Sequence, residues 1–305
     1  MSRARGYLMV AAAAVCWGLS ATAARVLLTS NVETVLLVQM RATFAAVVLA
    51  AILLVFRRNL LRARFRDIGR MALLGVIGVA GANFTYYYAI REGSVATAIV
   101  MQYTAPLLVM GYAAWTGEER LTPAKALAGS VALAGCLLAV GGPGAAVGSM
   151  TRNGFISGVL SSVTFGFMTV YTRHLLQRFA VWTVTVYSLT AASAFWLLVN
   201  PPWVIAEHSP GVMTWWALAG MGMISVLIPY ALYFSGLRHV VASRAIIVST
   251  LEPIVAIGSA AVIVGEALSG VQAAGAALVL VAIITLQIRR EPGGEEVNGG
   301  THATQ

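Results

Sequence analysis

Apolar stretches of about 20 residues recur along almost the whole chain, and nothing else in the sequence constrains its fold as strongly. A hydrocarbon core about 30 Å thick needs roughly that length of helix to cross it. Ten such stretches are read, at about 7–28, 34–56, 68–90, 94–115, 123–141, 154–172, 180–200, 213–235, 242–263 and 270–288. Of the 305 residues, 59% are hydrophobic and 10% charged, whereas about a quarter are charged in soluble domains. Most connections are too short to form a separate water-soluble domain. The expectation is an all-α membrane protein, a single bundle of ten transmembrane helices.

The formal net charge of +9 is placed unevenly. With a cytoplasmic N-terminus, the inner segments collect Arg3, Arg5, Arg57, Arg58, Arg62, Arg64, Arg66 and Arg70, and later Arg120, Lys125, Arg173, Arg178, Arg238, Arg289 and Arg290. The outer connections hold only Arg91 and Arg152, with Arg25 at the outer end of the first stretch. This is the positive-inside pattern for an even number of spans with both N- and C-termini cytoplasmic. The basic charge therefore reads as a topology signal, with anionic lipid as its natural neighbour, and no nucleic-acid partner is expected. The N-terminus has the basic, apolar and small-residue order of a signal peptide. Its apolar part runs on to about Leu28, so an uncleaved first helix is expected. Cys16 and Cys136 both fall inside spans and say nothing about redox compartment.

Sliding the chain by 147 residues lays "YYYAIREGSVATAIVMQYTAPLLVMGYAAWTGEERL" over "YFSGLRHVVASRAIIVSTLEPIVAIGSAAVIVGEAL" without a gap. Tyr86 then meets Tyr233, Arg91 meets Arg238, Pro106 meets Pro253, Gly111 meets Gly258 and Glu119 meets Glu266. At an offset of 148, Trp17 meets Phe165, Gly18 meets Gly166 and Arg25 meets Arg173. Five helices per half is an odd number, so the second half must enter the membrane in the opposite sense. Residues 1–143 are expected as a first five-helix repeat and 144–290 as a second, inverted one, with 291–305 a disordered cytoplasmic tail. Inverted halves around a pseudo-two-fold axis in the membrane plane are the architecture of many secondary transporters, with the solute site near the midplane at the repeat interface.

The ordered set of "WG" in the first stretch, "QMRATFAA" in the second, "YYYAIREGSVATAIVMQYTAPLL…GEERLT" and "LEPIVAIGSAAVIVGEALS" resembles the drug/metabolite transporter superfamily, in its ten-helix EamA-type branch. The resemblance covers about residues 6–288. It implies a multi-pass carrier of the bacterial inner membrane, commonly an exporter of amino acids, other small metabolites or drugs. Phe165 stands where a tryptophan is often found, which preserves aromatic character.

Several residues are candidates for the path. Pro106 and Pro253 each remove a backbone donor mid-helix, which is tolerable in lipid only beside protein or an aqueous cavity; both are expected as hinges of cavity-lining helices. Glu252, midway along the ninth stretch, costs on the order of 3 kcal/mol at that depth and should face the interior. Three roles stay open for it: binding a substrate ammonium, carrying a coupling proton, or a structural pairing with an arginine such as Arg41. Arg41, two turns inside the outer end of the second stretch, either meets a carboxylate, snorkels, or forms that internal pair. Asn83, Tyr86 and Tyr87 share one helical face, and their counterparts include Tyr230 and Tyr233. Tyr103 lies opposite Thr250, and Trp17 and Phe165 sit near mid-span. Such aromatic and small polar groups can surround an organic solute without gripping it.

No HExxH, G-x-S-x-G or Walker A sequence is present. The four histidines are scattered and Asp67 is the only aspartate, so neither a metal, a cofactor nor an enzyme activity is expected. Transport would draw on H⁺ or a counter-solute. The reading is an exporter of amino acids, bulky or aromatic ones first, or related metabolites, working by alternating access. The alternatives are a carrier of nucleobases, nucleosides or hydrophobic drugs and, in another class, an intramembrane enzyme acting on a lipid. A self-contained repeat permits a monomer.

Overall fold

A computed structural model describes residues 3–29, 32–93, 95–119, 121–140, 142, 151–207, 211–264 and 269–288. The tail from 291, Glu266, Arg120 and most of the segment joining the two halves lie outside the described residues. The described chain is helical, with no strand among those residues. Its principal helices are α1 (Arg3–Thr29), α2 (Thr34–Phe56), α3 (Phe65–Glu92), α5 (Pro123–Ala139), α6 (Arg152–Leu176), α7 (Val181–Val199), α8 (Val212–Leu237) and α10 (Gly270–Ile288). Two more are broken: α4 into Val95–Gln102 and Ala105–Trp115, and α9 into Ala242–Val248 and Leu251–Val264.

Eight stretches, in α1 to α4 and α6 to α9, are long and apolar enough to cross a membrane. The sequence reading gives ten. The remaining two, α5 and the apolar part of α10 (Gly270–Thr285), are shorter. At 17 residues, α5 reaches about 26 Å at 1.5 Å per residue, just under the hydrocarbon thickness. These two pack along Gly135 and Gly275, where a Cβ on Gly135 would lie 2.8 Å from Val279; small residues let the backbones close in.

Local chemistry sets the ends. The Thr122 hydroxyl accepts from the Lys125 amide ahead of Pro123, and the Thr151 hydroxyl accepts from the Gly154 amide, the expected satisfaction of free N-terminal donors. Inside α3 and α8 the turns widen to π-helix over Leu74–Gly81 and Gly222–Leu227. The two bulges fall at matching places in the 147-residue repeat.

The halves also make reciprocal contacts. The pairing of α3 with α7 is mirrored by α8 with α2, α3 with α6 by α8 with α1, and α1 with α9 by α6 with α4. Single residues obey the same rule. A Cβ on Gly75 would strike the Ser188 carbonyl and Ala191, while one on Gly222 would lie 2.9 Å from the Arg41 carbonyl and 3.1 Å from Phe44. Adding 147 to 75, 41 and 44 gives 222, 188 and 191.

The breaks in α4 and α9 fall at Tyr103–Thr104 and Ser249–Thr250, just before Pro106 and Pro253. Pro253 has no N–H for the Ser249 carbonyl four residues earlier. That carbonyl instead accepts from the Glu252 amide at 3.0 Å and from the Tyr103 hydroxyl at 2.8 Å.

Candidate functional site

A central cavity opens where these defects meet. Its wall is Trp17, Ser20 and Ala21 of α1, Arg41 of α2, Ala82, Asn83, Tyr86 and Tyr87 of α3, and Gln102 of α4. From the second half come Phe165 and Met168 of α6, Tyr230 of α8 and Glu252 of α9. The cavity holds about 50 Å³, room for a few waters and less than an amino acid needs. Repeat counterparts touch across it: the Asn83 side-chain amide donates to the Tyr230 hydroxyl at 2.7 Å, and the Trp17 and Phe165 rings meet edge to face at 6.2 Å. Both members of each pair, one from each half, lie at the cavity wall. The cavity therefore lies between the halves.

The expected site residues separate into a lining and a layer behind it. Trp17, Asn83, Tyr86, Tyr87, Phe165, Tyr230 and Glu252 line the cavity. Tyr103 and Tyr233 are buried behind it. Tyr233 packs on Trp17, ring centroids 5.2 Å apart, and bonds Thr169 at 2.9 Å. The Tyr103 hydroxyl shares its proton between the Ser249 carbonyl and Glu252 Oε2, each 2.8 Å away. Thr250 does not reach the cavity: its hydroxyl turns back to the Ile247 carbonyl at 2.6 Å, the usual local bond for a hydroxyl beside a helix break. Pro106 and Pro253 are buried just past the two breaks.

The two intramembrane charges are held apart. Glu252, 7% exposed, is approached by the Tyr86 hydroxyl at 3.4 Å and by Tyr103. Arg41, 2% exposed, does not snorkel. Its Nε donates to Ser225 Oγ at 2.8 Å, and its Cζ lies 4.7 Å over the Tyr87 ring. Among the described residues the two form no ion pair, and Arg41 Nη1 has no hydrogen-bond partner. Their repeat counterparts are Ser188 and Ala105, so each charge occurs once.

Ser20, Met168 and Ser225 were not expected at the site. Ser20 and Met168 follow Trp17 and Phe165 by three positions, on the same helical face, and that periodicity would have found them. Ser225 carries no such signal, because only the packing of α8 on α2 brings it to Arg41. No group of three or more potential metal ligands occurs among the described residues.

One end of the bundle is tied by polar contacts, two of which, Arg244 with Tyr7 and Ser243 with Glu119, join the two halves. The Arg173 guanidinium donates to the Val240 carbonyl, Arg244 Nη1 donates to the Tyr7 hydroxyl at 3.2 Å, and Ser243 donates to Glu119, which also pairs with Lys125 at 3.2 Å.

Residues 4–141 and 152–287 each match the EamA-like transporter family. An "uncharacterized transporter" of Archaeoglobus fulgidus is 29% identical over 272 residues, covering 80% of this chain and 96% of the relative. The "uncharacterized inner membrane transporter YicL" of Salmonella typhimurium is 23% identical over 265 residues, covering 83% and 85%. A protein of known crystal structure superposes with a TM-score of 0.75 at 23% identity, over 93% of this chain and 97% of that one; at that identity the likeness concerns the fold.

Proposed function

The chain belongs to the EamA-like transporter family, and on that premise we propose that it is a secondary carrier of the bacterial inner membrane exporting amino acids, bulky or aromatic ones first, or related small metabolites. The architecture we assign to it is ten spans in two inverted halves, 1–143 and 144–290, with both termini cytoplasmic and a monomer as the working unit. The observation that carries the reading is the contact between repeat counterparts, Asn83 with Tyr230 and Trp17 with Phe165, at a cavity walled by both halves. A site near such an axis can be reached from either side by the same rocking motion. At about 50 Å³ the cavity must widen to admit a solute, and we assign the bending to the helix breaks before Pro106 and Pro253. The sequence holds no Walker A motif, so the work is drawn from H⁺ or from a counter-solute.

Proteoliposomes of the full chain, offered labelled amino acids and nucleobases with and without an imposed pH gradient, test this. Saturable uptake of bulky amino acids is the expected result. Uptake of nucleobases alone would move the cargo to that class, and chemical conversion without vectorial movement would sink the carrier reading.

A further inference from the structure

We propose that the central cavity recognises its solute as a zwitterion, with Arg41 taking a carboxylate and Glu252 an ammonium on the same small molecule. The inference rests on the carrier reading above and specifies its solute.

The Arg41 guanidinium is held on two sides and has one donor nitrogen unsatisfied. Ser225 holds its Nε, Tyr87 lies under its plane, and Nη1 is buried without a hydrogen-bond partner in a residue of the cavity wall. A guanidinium donor left unsatisfied at hydrocarbon depth is costly, and a carboxylate is the group its planar fork fits best. Glu252 faces the same cavity. Its oxygens are met by the uncharged hydroxyls of Tyr86 and Tyr103 rather than by a cation. Among the described residues the two form no ion pair; Ser225 of α8 bonds one and Tyr103 of α4 the other.

The repeat sharpens the point. The scaffold around the cavity is nearly symmetric, yet Arg41 corresponds to Ser188 and Glu252 to Ala105. One positive and one negative group have been placed separately, one in each half. The site is therefore polar along one direction, while its aromatic walls are not. A solute with both charges compensates both groups at once and is itself neutral, whereas a simple amine or a simple acid leaves one buried charge uncompensated. The rings of Trp17, Phe165 and Tyr230 remain for its side chain.

The test uses proteoliposomes of the full chain and the amino acid taken up fastest. For phenylalanine the competitors are phenylalanine amide and phenethylamine, which lack the carboxylate, and N-acetylphenylalanine and 3-phenylpropionate, which lack the ammonium. Each one-charge analogue should compete at least about tenfold more weakly than the free amino acid. Arg41→Gln should abolish the discrimination against the amide while keeping that against the N-acetyl compound. Glu252→Gln should do the reverse, and Arg41→Lys should restore part of the carboxylate preference. A merely structural role would not divide the analogues in this way. If amide or N-acetyl compound competes in the unaltered protein as well as the free amino acid, the inference falls and the carrier reading stands; this arm needs no variant to fold. If no amino acid is taken up at all, the inference falls with the amino-acid cargo, and the nucleobase arm of the first experiment decides the carrier reading.

Discussion

At the scale of single residues, the least expected arrangement is the use made of Pro253. Proline frees the Ser249 carbonyl, and the protein satisfies it from another helix with the Tyr103 hydroxyl, which reaches Glu252 at the same time. One phenol thus joins a backbone defect in α9 to a buried acid one turn further on. Tyr103→Phe keeps the ring and removes this donor, leaving a buried carbonyl and a carboxyl oxygen each short of one bond, at a cost of about 1–3 kcal/mol. Pro253→Ala returns an N–H to the helix, so Ser249 no longer depends on the tyrosine. Thermal denaturation in detergent of the four combinations should show Tyr103→Phe costing less, by about 0.5–1.5 kcal/mol, when Pro253 is already alanine. Strict additivity would mean that the hydroxyl serves Glu252 and does nothing for the defect.

At the scale of elements, glycines of the same repeat divide by what they touch. Gly75 and Gly222 sit in the π-bulges and press on α7 and α2, with backbone carbonyls in the way of any Cβ. Gly111 and Gly258 have nothing within 4 Å. Alanine at either of the first two should cost about 1–3 kcal/mol through overpacking. At the second two it should be neutral or slightly stabilising, since glycine is about 1 kcal/mol poorer than alanine inside a helix. Melting temperatures of the four single variants check this, and equal shifts in both pairs would show that the close approaches are not limiting. Much of this scale was legible beforehand. Hydropathy locates the long helices because lipid allows few alternatives, and the offset of 147 residues finds Pro106 with Pro253 and Asn83 with Tyr230 because a repeat preserves spacing. The π-bulges were not legible, since a widened turn answers to the neighbour it accommodates. Neither was Ser225 as the anchor of Arg41, because which helices meet is set by tertiary packing. Thr250 misled for a related reason: its counterpart Tyr103 is long enough to reach across, and a threonine hydroxyl is not.

At the scale of the whole molecule, a cavity of about 50 Å³ between two halves requires that the halves move for any solute to pass. Their contacts must therefore include some that break in each cycle. The polar ties at one end of the bundle qualify better than the glycine-packed seams, because hydrogen bonds can exchange with water while interlocked backbones cannot. Tyr7 of α1 meets Arg244 of α9 across the halves, and within the second half Arg173 of α6 fastens the Val240 carbonyl, two residues ahead of α9. With the termini cytoplasmic, as proposed, this end is predicted to act as the inner gate, and Val240 is 3% exposed there. A hydrogen bond from a charged donor contributes about 1.5–3 kcal/mol, so its loss is expected to shift this end toward opening by about ten- to a hundredfold. Val240→Cys in a Cys16→Ala, Cys136→Ala background should react slowly with a membrane-impermeant maleimide applied to inside-out vesicles. Adding Arg173→Ala should raise that rate by about ten- to a hundredfold and leave right-side-out vesicles unreactive. An unchanged rate would make this end a fixed base, and the motion would have to be sought in the broken helices α4 and α9. Labelling from the opposite side would reverse the assigned topology while leaving the gate in place. The same vesicles loaded with a transported amino acid join this scale to the residue scale. If the solute closes the site around Arg41 and Glu252, its presence should change the rate at Val240→Cys, although that residue does not line the cavity.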